Sequence, residues 1–89
     1  MLRSDIKFPL YSRVALTVDL PAKGIRRGDV ATVVEHHAAA APDIKPGYSV
    51  EVFNAIGETL AVLTLPESHL ESLRRDEVLS VRSLAFHTA

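Results

Sequence analysis

Lys23-Gly24-Ile25-Arg26-Arg27-Gly28-Asp29-Val30-Ala31-Thr32-Val33-Val34-Glu35 decides the fold. A polar loop hinged on two glycines carries Arg26 and Arg27 and runs directly into a β-branched strand. Branched side chains favour the pleated, extended backbone, and glycine accepts the positive φ that tight loops demand. Such a loop feeding such a strand belongs to small, strongly bent β-barrels. It points to a fold and not to a chemistry.

Upstream, Ser12 to Val18 alternates Val14, Leu16 and Val18 with Arg13, Ala15 and Thr17, the period-2 pattern of a half-buried first strand. Asp19 to Gly28 is then a long loop punctuated by Pro21, Gly24 and Gly28, with positive φ expected at both glycines. Asp29 is expected to accept hydrogen bonds from loop amides. The second strand, Asp29 to His37, carries Val30, Thr32 and Val34 on one face and Ala31, Val33 and Glu35 on the other. Two apolar faces indicate a strand central to a sheet or curling into a barrel.

Downstream, the alanine run from Ala38 to Ala41 is too short to nucleate a helix, and Pro42 and Pro46 close off that option. Ala38 to Gly47 is therefore an exposed connection. Tyr48 to Asn54 is a third strand, Asn54-Ala55-Ile56-Gly57 a tight turn, and Glu58 to Leu65 a fourth strand forming an antiparallel hairpin with the third. Pro66 to Leu70 supplies one helical or 3-10 turn. Glu77 to Ser83, with Val78, Leu79 and Val81, reads as the fifth strand. Five short strands with a long first loop and a single helical turn before the last give an SH3-like barrel; an open five-strand meander is the alternative. No apolar 3.6-residue period lasts three turns, which excludes a helical bundle. Residues 1–11 form a leader, 12–83 the barrel and 84–89 a loose tail.

The 89 residues suffice for one domain with a modest core. Apolar residues make up 47% of the chain, which excludes wholesale disorder. The absence of cysteine removes disulfides, thiolate catalysis and Cys-type zinc sites. A net charge of −1 argues against a general polyanion binder. The first residues carry charges of both signs and no apolar core of a signal peptide, and no run of about 18 apolar residues offers a membrane span. The expected location is the cytoplasm.

Several constellations invite a chemical reading and are better explained otherwise. His36 and His37 are adjacent on a strand, so their side chains diverge and do not chelate one metal; solvated strand-end histidines are expected. His69 and His87 are remote from them. Asp29 with Glu35, or Glu51 with Glu58, would need an apolar concave pocket to act as an acid–base pair. Ser12, Ser49, Ser68, Ser72, Ser80 and Ser83 lie in no nucleophile motif. Gly24-Ile25-Arg26-Arg27-Gly28 leads into a strand and not a helix, so it lacks the dipole of a phosphate cradle. No catalytic residue, metal ligand or cofactor is assigned.

The residues do resemble a known family. Val14-Ala15-Leu16, Asp19-Leu20-Pro21-Ala22-Lys23-Gly24-Ile25 and Arg27-Gly28-Asp29-Val30-Ala31-Thr32-Val33-Val34-Glu35, followed by Tyr48-Ser49-Val50-Glu51-Val52-Phe53, Gly57-Glu58-Thr59 and Leu63-Thr64-Leu65, are similar to the DUF4926 family of small bacterial proteins. The resemblance runs from about Tyr11 to Leu73. Ala31 stands where the pattern often has glycine, and the segment from His36 to Gly47 is longer and richer in alanine than the pattern. The resemblance implies an SH3-like barrel and a partner protein of accessory or antitoxin-like type. It implies no reaction.

The function expected is that of a non-enzymatic binding module, engaging another protein or a second copy through the 19–28 loop and an edge strand. Lys23, Ile25, Arg26, Arg27 and Tyr48 are the candidate contact residues. The alternative is a nucleic-acid interface built from Lys23, Arg26 and Arg27 together with Arg74 and Arg75, near Arg82. RNA-binding barrels usually add exposed aromatics for stacking, and here Tyr48 and Phe53 are the only ones within strands, at least one being needed for the core. Phe8, Leu10, Tyr11, Leu84 and Phe86 lie outside the clear strands and either plug the barrel or cover an edge. If Val34 and Val52 are core residues, replacing either with alanine should cost about 1–3 kcal/mol in denaturant unfolding.

Overall fold

Tyr48, Val50 and Val52 all face inward from one side of β3 (Gly47–Phe53), and the sheet is assembled around them. The computed structural model describes residues 6–84. Its elements are β1 (Arg13–Leu16), a 3-10 turn (Pro21–Lys23), β2 (Val30–His37), β3, β4 (Thr59–Pro66), a second 3-10 turn (Glu67–His69) and β5 (Leu70–Ser72). All pairings are antiparallel, in the order β4-β3-β2-β1-β5. β4 and β5 lie at opposite ends of that order. Phe8, Val14, Leu16, Ile25, Ala31, Val33, Leu63, Leu65 and Leu70 complete the core with the three β3 residues.

The β3–β4 hairpin follows its sequence closely. Leu63 and Leu65 are buried while Leu60 and Val62 are exposed, as a period-2 strand with one apolar face requires. Asn54 builds the turn: its side-chain oxygen accepts from the amides of Ile56 at 3.1 Å and Glu58 at 2.8 Å. Gly47 has a different task. A Cβ there would stand 2.9 Å from the carbonyl oxygen of Leu65, so β4 approaches β3 at this point only because the side chain is missing.

A bulge settles which face of β2 is inside. Val33 pairs with Val50 but Glu35 pairs with Ser49, leaving Val34 as the extra residue. Ala31 and Val33 are buried; Val30, Thr32 and Val34 are half-buried. Beyond the bulge the inward side is taken by His36, whose ring lies 5.0 Å from that of Tyr48. Val34→Ala therefore removes less buried surface than Val52→Ala, and the two losses expected from the sequence separate.

The fifth strand is not where the sequence placed it. Glu77 to Ser83 forms no strand, and Val78 and Val81 are each 90% exposed. The free side of β1 is reached directly from the second 3-10 turn: Leu70 pairs with Leu16, Glu71 with Ala15 and Ser72 with Val14. Leu70 drops into the core, whereas the apolar neighbours Val78 and Leu79 give no one-sided face to bury. Of the apolar residues outside the expected strands, Phe8 plugs the core, Leu10 and Tyr11 are exposed and Leu84 is half-buried. Phe86 and His87 lie outside the described residues.

Tyr48 fastens the upstream segment. Its hydroxyl accepts from the amides of Lys7 at 2.8 Å and Phe8 at 3.2 Å, and donates to a Glu67 carboxylate oxygen at 3.2 Å. Tyr48→Phe keeps the ring and deprives two amides of their acceptor, one of them buried. The expected cost is about 1–3 kcal/mol, read from the urea midpoint; an unchanged midpoint would show that the hydroxyl's bonds to Lys7, Phe8 and Glu67 contribute nothing to stability.

Candidate functional site

The long loop between β1 and β2 is a folded object. Pro21 opens the 3-10 turn and Gly24, at φ 70°, closes it. Leu20 and Ile25 then bridge across the base: Leu20 N donates to Ile25 O at 2.8 Å, and Ile25 N to Leu20 O at 3.2 Å. Two carboxylates hold the far side. Asp19 accepts from the amide of Arg27 at 2.8 Å, and Asp29 from the amide of Arg26 at 2.8 Å. Gly28, at φ 92°, returns the chain to β2, its amide donating to Leu16 O at 2.8 Å. The pinning role expected of Asp29 and the positive φ expected at both glycines are present.

Of the five candidate contact residues, the structure brings three to the surface of this loop. The side chains of Lys23, Arg26 and Arg27 are exposed. Ile25 and Tyr48 are not surface residues: Ile25 is 2% and Tyr48 0% exposed. An isoleucine between a glycine and two arginines reads as solvated in a linear sequence, but the Leu20–Ile25 bridge folds it under the loop. A shallow cleft of about 290 Å³ remains above it, lined by Asp19, Pro21, Gly24, Ile25 and Arg26.

Sequence reasoning missed Arg82, which it grouped with Arg74 and Arg75. Arg82 Nε donates to Asp29 Oδ1 at 3.0 Å, and Nη2 donates both to Asp29 Oδ2 and to the carbonyl of Gly24 at 3.0 Å. This is a two-pronged guanidinium–carboxylate pair, half-buried on both sides. The partners are 53 residues apart, and no local pattern announces them. Burial works against the charge on Asp29, but the hydrogen bonds from Arg82 and the Arg26 amide, with the charges of both arginines, hold its carboxyl below the ordinary value. The same pair raises Arg82.

The other constellations resolve into structure. The His36 ring packs on Tyr48 with its Nε2 buried and without a hydrogen-bond partner among the described residues, so this histidine is not the solvated one expected. The bulge at Val34 turns it inward. His37 Nε2 lies 2.8 Å from Ser49 Oγ, which also meets Thr64 Oγ1 at 3.0 Å. Glu35 stands 4.0 Å from the same Nε2, whereas a serine–histidine–acid relay needs the acid on the other ring nitrogen. Glu51 bonds Thr59 and Glu58 bonds Asn54, so these two carboxylates form no pair. Arg74 is paired with Asp76 at 3.5 Å and with Glu77 at 3.3 Å. Among the described residues no group of three or more His, Cys, Asp or Glu side chains converges as metal ligands.

The model of a family described as a domain of unknown function, DUF4926, matches residues 10–72. No curated protein and no solved structure matches the chain. The matched span contains all five strands and the β1–β2 loop, and ends before Arg82.

Asp29 should leave a signature in the acid limb of stability. Its native carboxyl ionises at lower pH than in the unfolded chain, where the ordinary value is about 3.9. Its contribution is therefore complete above that value and disappears as pH falls through the native one. In thermal melts from pH 7 to pH 2, Asp29→Asn should be less stable than wild type at neutral pH by a constant margin that shrinks below about pH 4. A margin independent of pH would mean that the ionised pair contributes no net stability.

Proposed function

The chain belongs to the DUF4926 family, and we propose that it is a non-enzymatic SH3-like barrel that binds an acidic surface of another protein through its β1–β2 loop. One observation carries this reading. The loop backbone is fixed at Asp19, Gly24 and Asp29 while Lys23, Arg26 and Arg27 stand in solvent, Arg26 at the wall of the cleft. A loop already ordered loses little conformational freedom on binding, so its charges convert into affinity more fully than those of a floppy one. The second contact surface is the edge strand β4, which has no charged residue from Thr59 to Leu65 and exposes Leu60 and Val62. The barrel reading draws support from the sheet order, with β1 between β2 and β5, and from the bulges in β2 and the β3–β4 pair that bend the sheet.

The nucleic-acid reading has less to stand on. Arg74 and Arg82 are committed to carboxylates within the chain, and the Tyr48 ring is buried where stacking would need it open. Capture from cell extract separates the two. The full chain and its Arg26→Glu/Arg27→Glu variant are compared with and without nuclease, at two salt concentrations. The variant should still fold, with a melting point lowered only slightly, because the loop bonds use the amides of these arginines and only the charge of Arg26 acts on Asp29. Wild type should retain a protein partner after nuclease and the variant should lose it. Signal that vanishes with nuclease would move nucleic acid to first place.

A further inference from the structure

After β5 the chain turns at Arg74–Glu77, where the amide of Arg74 donates to Glu77 Oε1 at 2.6 Å and the amide of Glu77 to Arg74 O at 3.1 Å. It then runs to Leu84 as a strap outside any strand. Val78 and Val81 are each 90% exposed and Leu79 54%, so the strap gains little from apolar burial. Arg82 ties it down, and among the described residues every hydrogen bond Arg82 makes beyond the strap goes to the β1–β2 loop: both oxygens of Asp29 and the carbonyl of Gly24.

Those acceptors form a socket set by the loop itself. Asp29 is aimed by the amide of Arg26, and the Gly24 carbonyl by the left-handed residue that closes the 3-10 turn. Two carboxylate oxygens in a fork and a carbonyl beside them match the planar donor set of a guanidinium and not the compact ammonium of lysine. Gly24 and Asp29 also lie inside the residues matched by the family model, whereas the strap lies beyond them.

We propose that this socket is an arginine-recognition site for an extended segment of the partner protein, and that Arg82 occupies it in the free chain as a tethered competitor. The proposal rests on the reading of the loop as a protein-binding surface and adds the chemistry of the segment it takes. That segment carries one arginine for Asp29 and Gly24, with acidic residues alongside to meet Arg26 and Arg27. A single, partly exposed ion pair is a weak fastening. Its tether compensates by keeping the guanidinium at an effective concentration on the order of millimolar. A partner that supplies the same arginine plus the acidic contacts displaces it.

The test uses the full chain and a synthetic peptide of residues 77–84, titrated by NMR to millimolar concentration. The peptide should bind the Arg82→Ala chain about tenfold more tightly than wild type, whose socket is filled. The same peptide with lysine at the arginine position should bind neither, and adding Asp29→Asn to Arg82→Ala should abolish binding. Arg82→Lys, which keeps the charge and the stem, serves as the open-socket chain if Arg82→Ala does not fold. Equal binding to wild type and open-socket chains, equal binding of the lysine peptide, or no binding to the open chain would each overturn the proposal. No cellular partner enters this measurement, so the socket can fail while capture dependent on Arg26 and Arg27 persists, and the reverse.

Discussion

Tyr48 has no surface in contact with water, and a phenol in that position must have its hydroxyl satisfied by the protein. Three parts of the chain answer that demand. The amides of Lys7 and Phe8 arrive from upstream of the sheet, and Glu67 arrives from the turn between β4 and β5. The ring itself receives Phe8 edge-on at 5.2 Å and His36 at 5.0 Å. One side chain on the β3–β4 hairpin thereby fixes where the upstream segment lies, which way β2 faces after its bulge, and where the turn that launches β5 is held. The strand order follows from the pairings, whereas the placement of the upstream segment and of the turn between β4 and β5 follows from this residue.

Asp29 plays the corresponding part in the β1–β2 loop. It ends the loop, begins the approach to β2, aims the amide of Arg26 and takes the guanidinium of Arg82. A carboxylate with that many donors stays ionised although burial disfavours its charge. Among the described residues the cationic side chains of the loop make no ion pair, and the carboxylates of Asp19 and Asp29 are taken by backbone amides and by Arg82.

What could be read from the sequence was local. The β3–β4 hairpin was legible because Tyr48, Val50 and Val52 alternate strictly and Asn54 and Gly57 announce the turn. The loop glycines were legible for the same kind of reason. β2 was ambiguous because its two apolar faces conceal a bulge, and only the pairing with β3 shows that Val34 is the residue left over. β5 was illegible: Leu70-Glu71-Ser72 has one apolar residue, and it becomes a strand because the edge of β1 is waiting there. Val78, Leu79 and Val81 look more like a strand and find no edge. The site divided along the same line. Exposure of Lys23, Arg26 and Arg27 was legible from their charge, whereas the burial of Ile25 and Tyr48 and the pairing of Arg82 were not, because these depend on residues distant in the chain.

The pairing of β1 with β5 joins the two ends of the sheet's sequence, and that has a kinetic meaning. β2, β3 and β4 form a meander of neighbours, which can zip up by short closures. β1 can join it only by folding the long loop, and Val14 can meet Ser72 only after a closure that spans nearly the whole domain. Chain entropy makes that last closure the slow one. The surface that carries Lys23, Arg26 and Arg27 lies between β1 and β2, so it forms when β1 joins the meander and does not wait for β5. A nascent chain halted before β5 would leave the outer edge of β1 unpaired and the core without Leu70, while the β1–β2 loop already had its own hydrogen bonds.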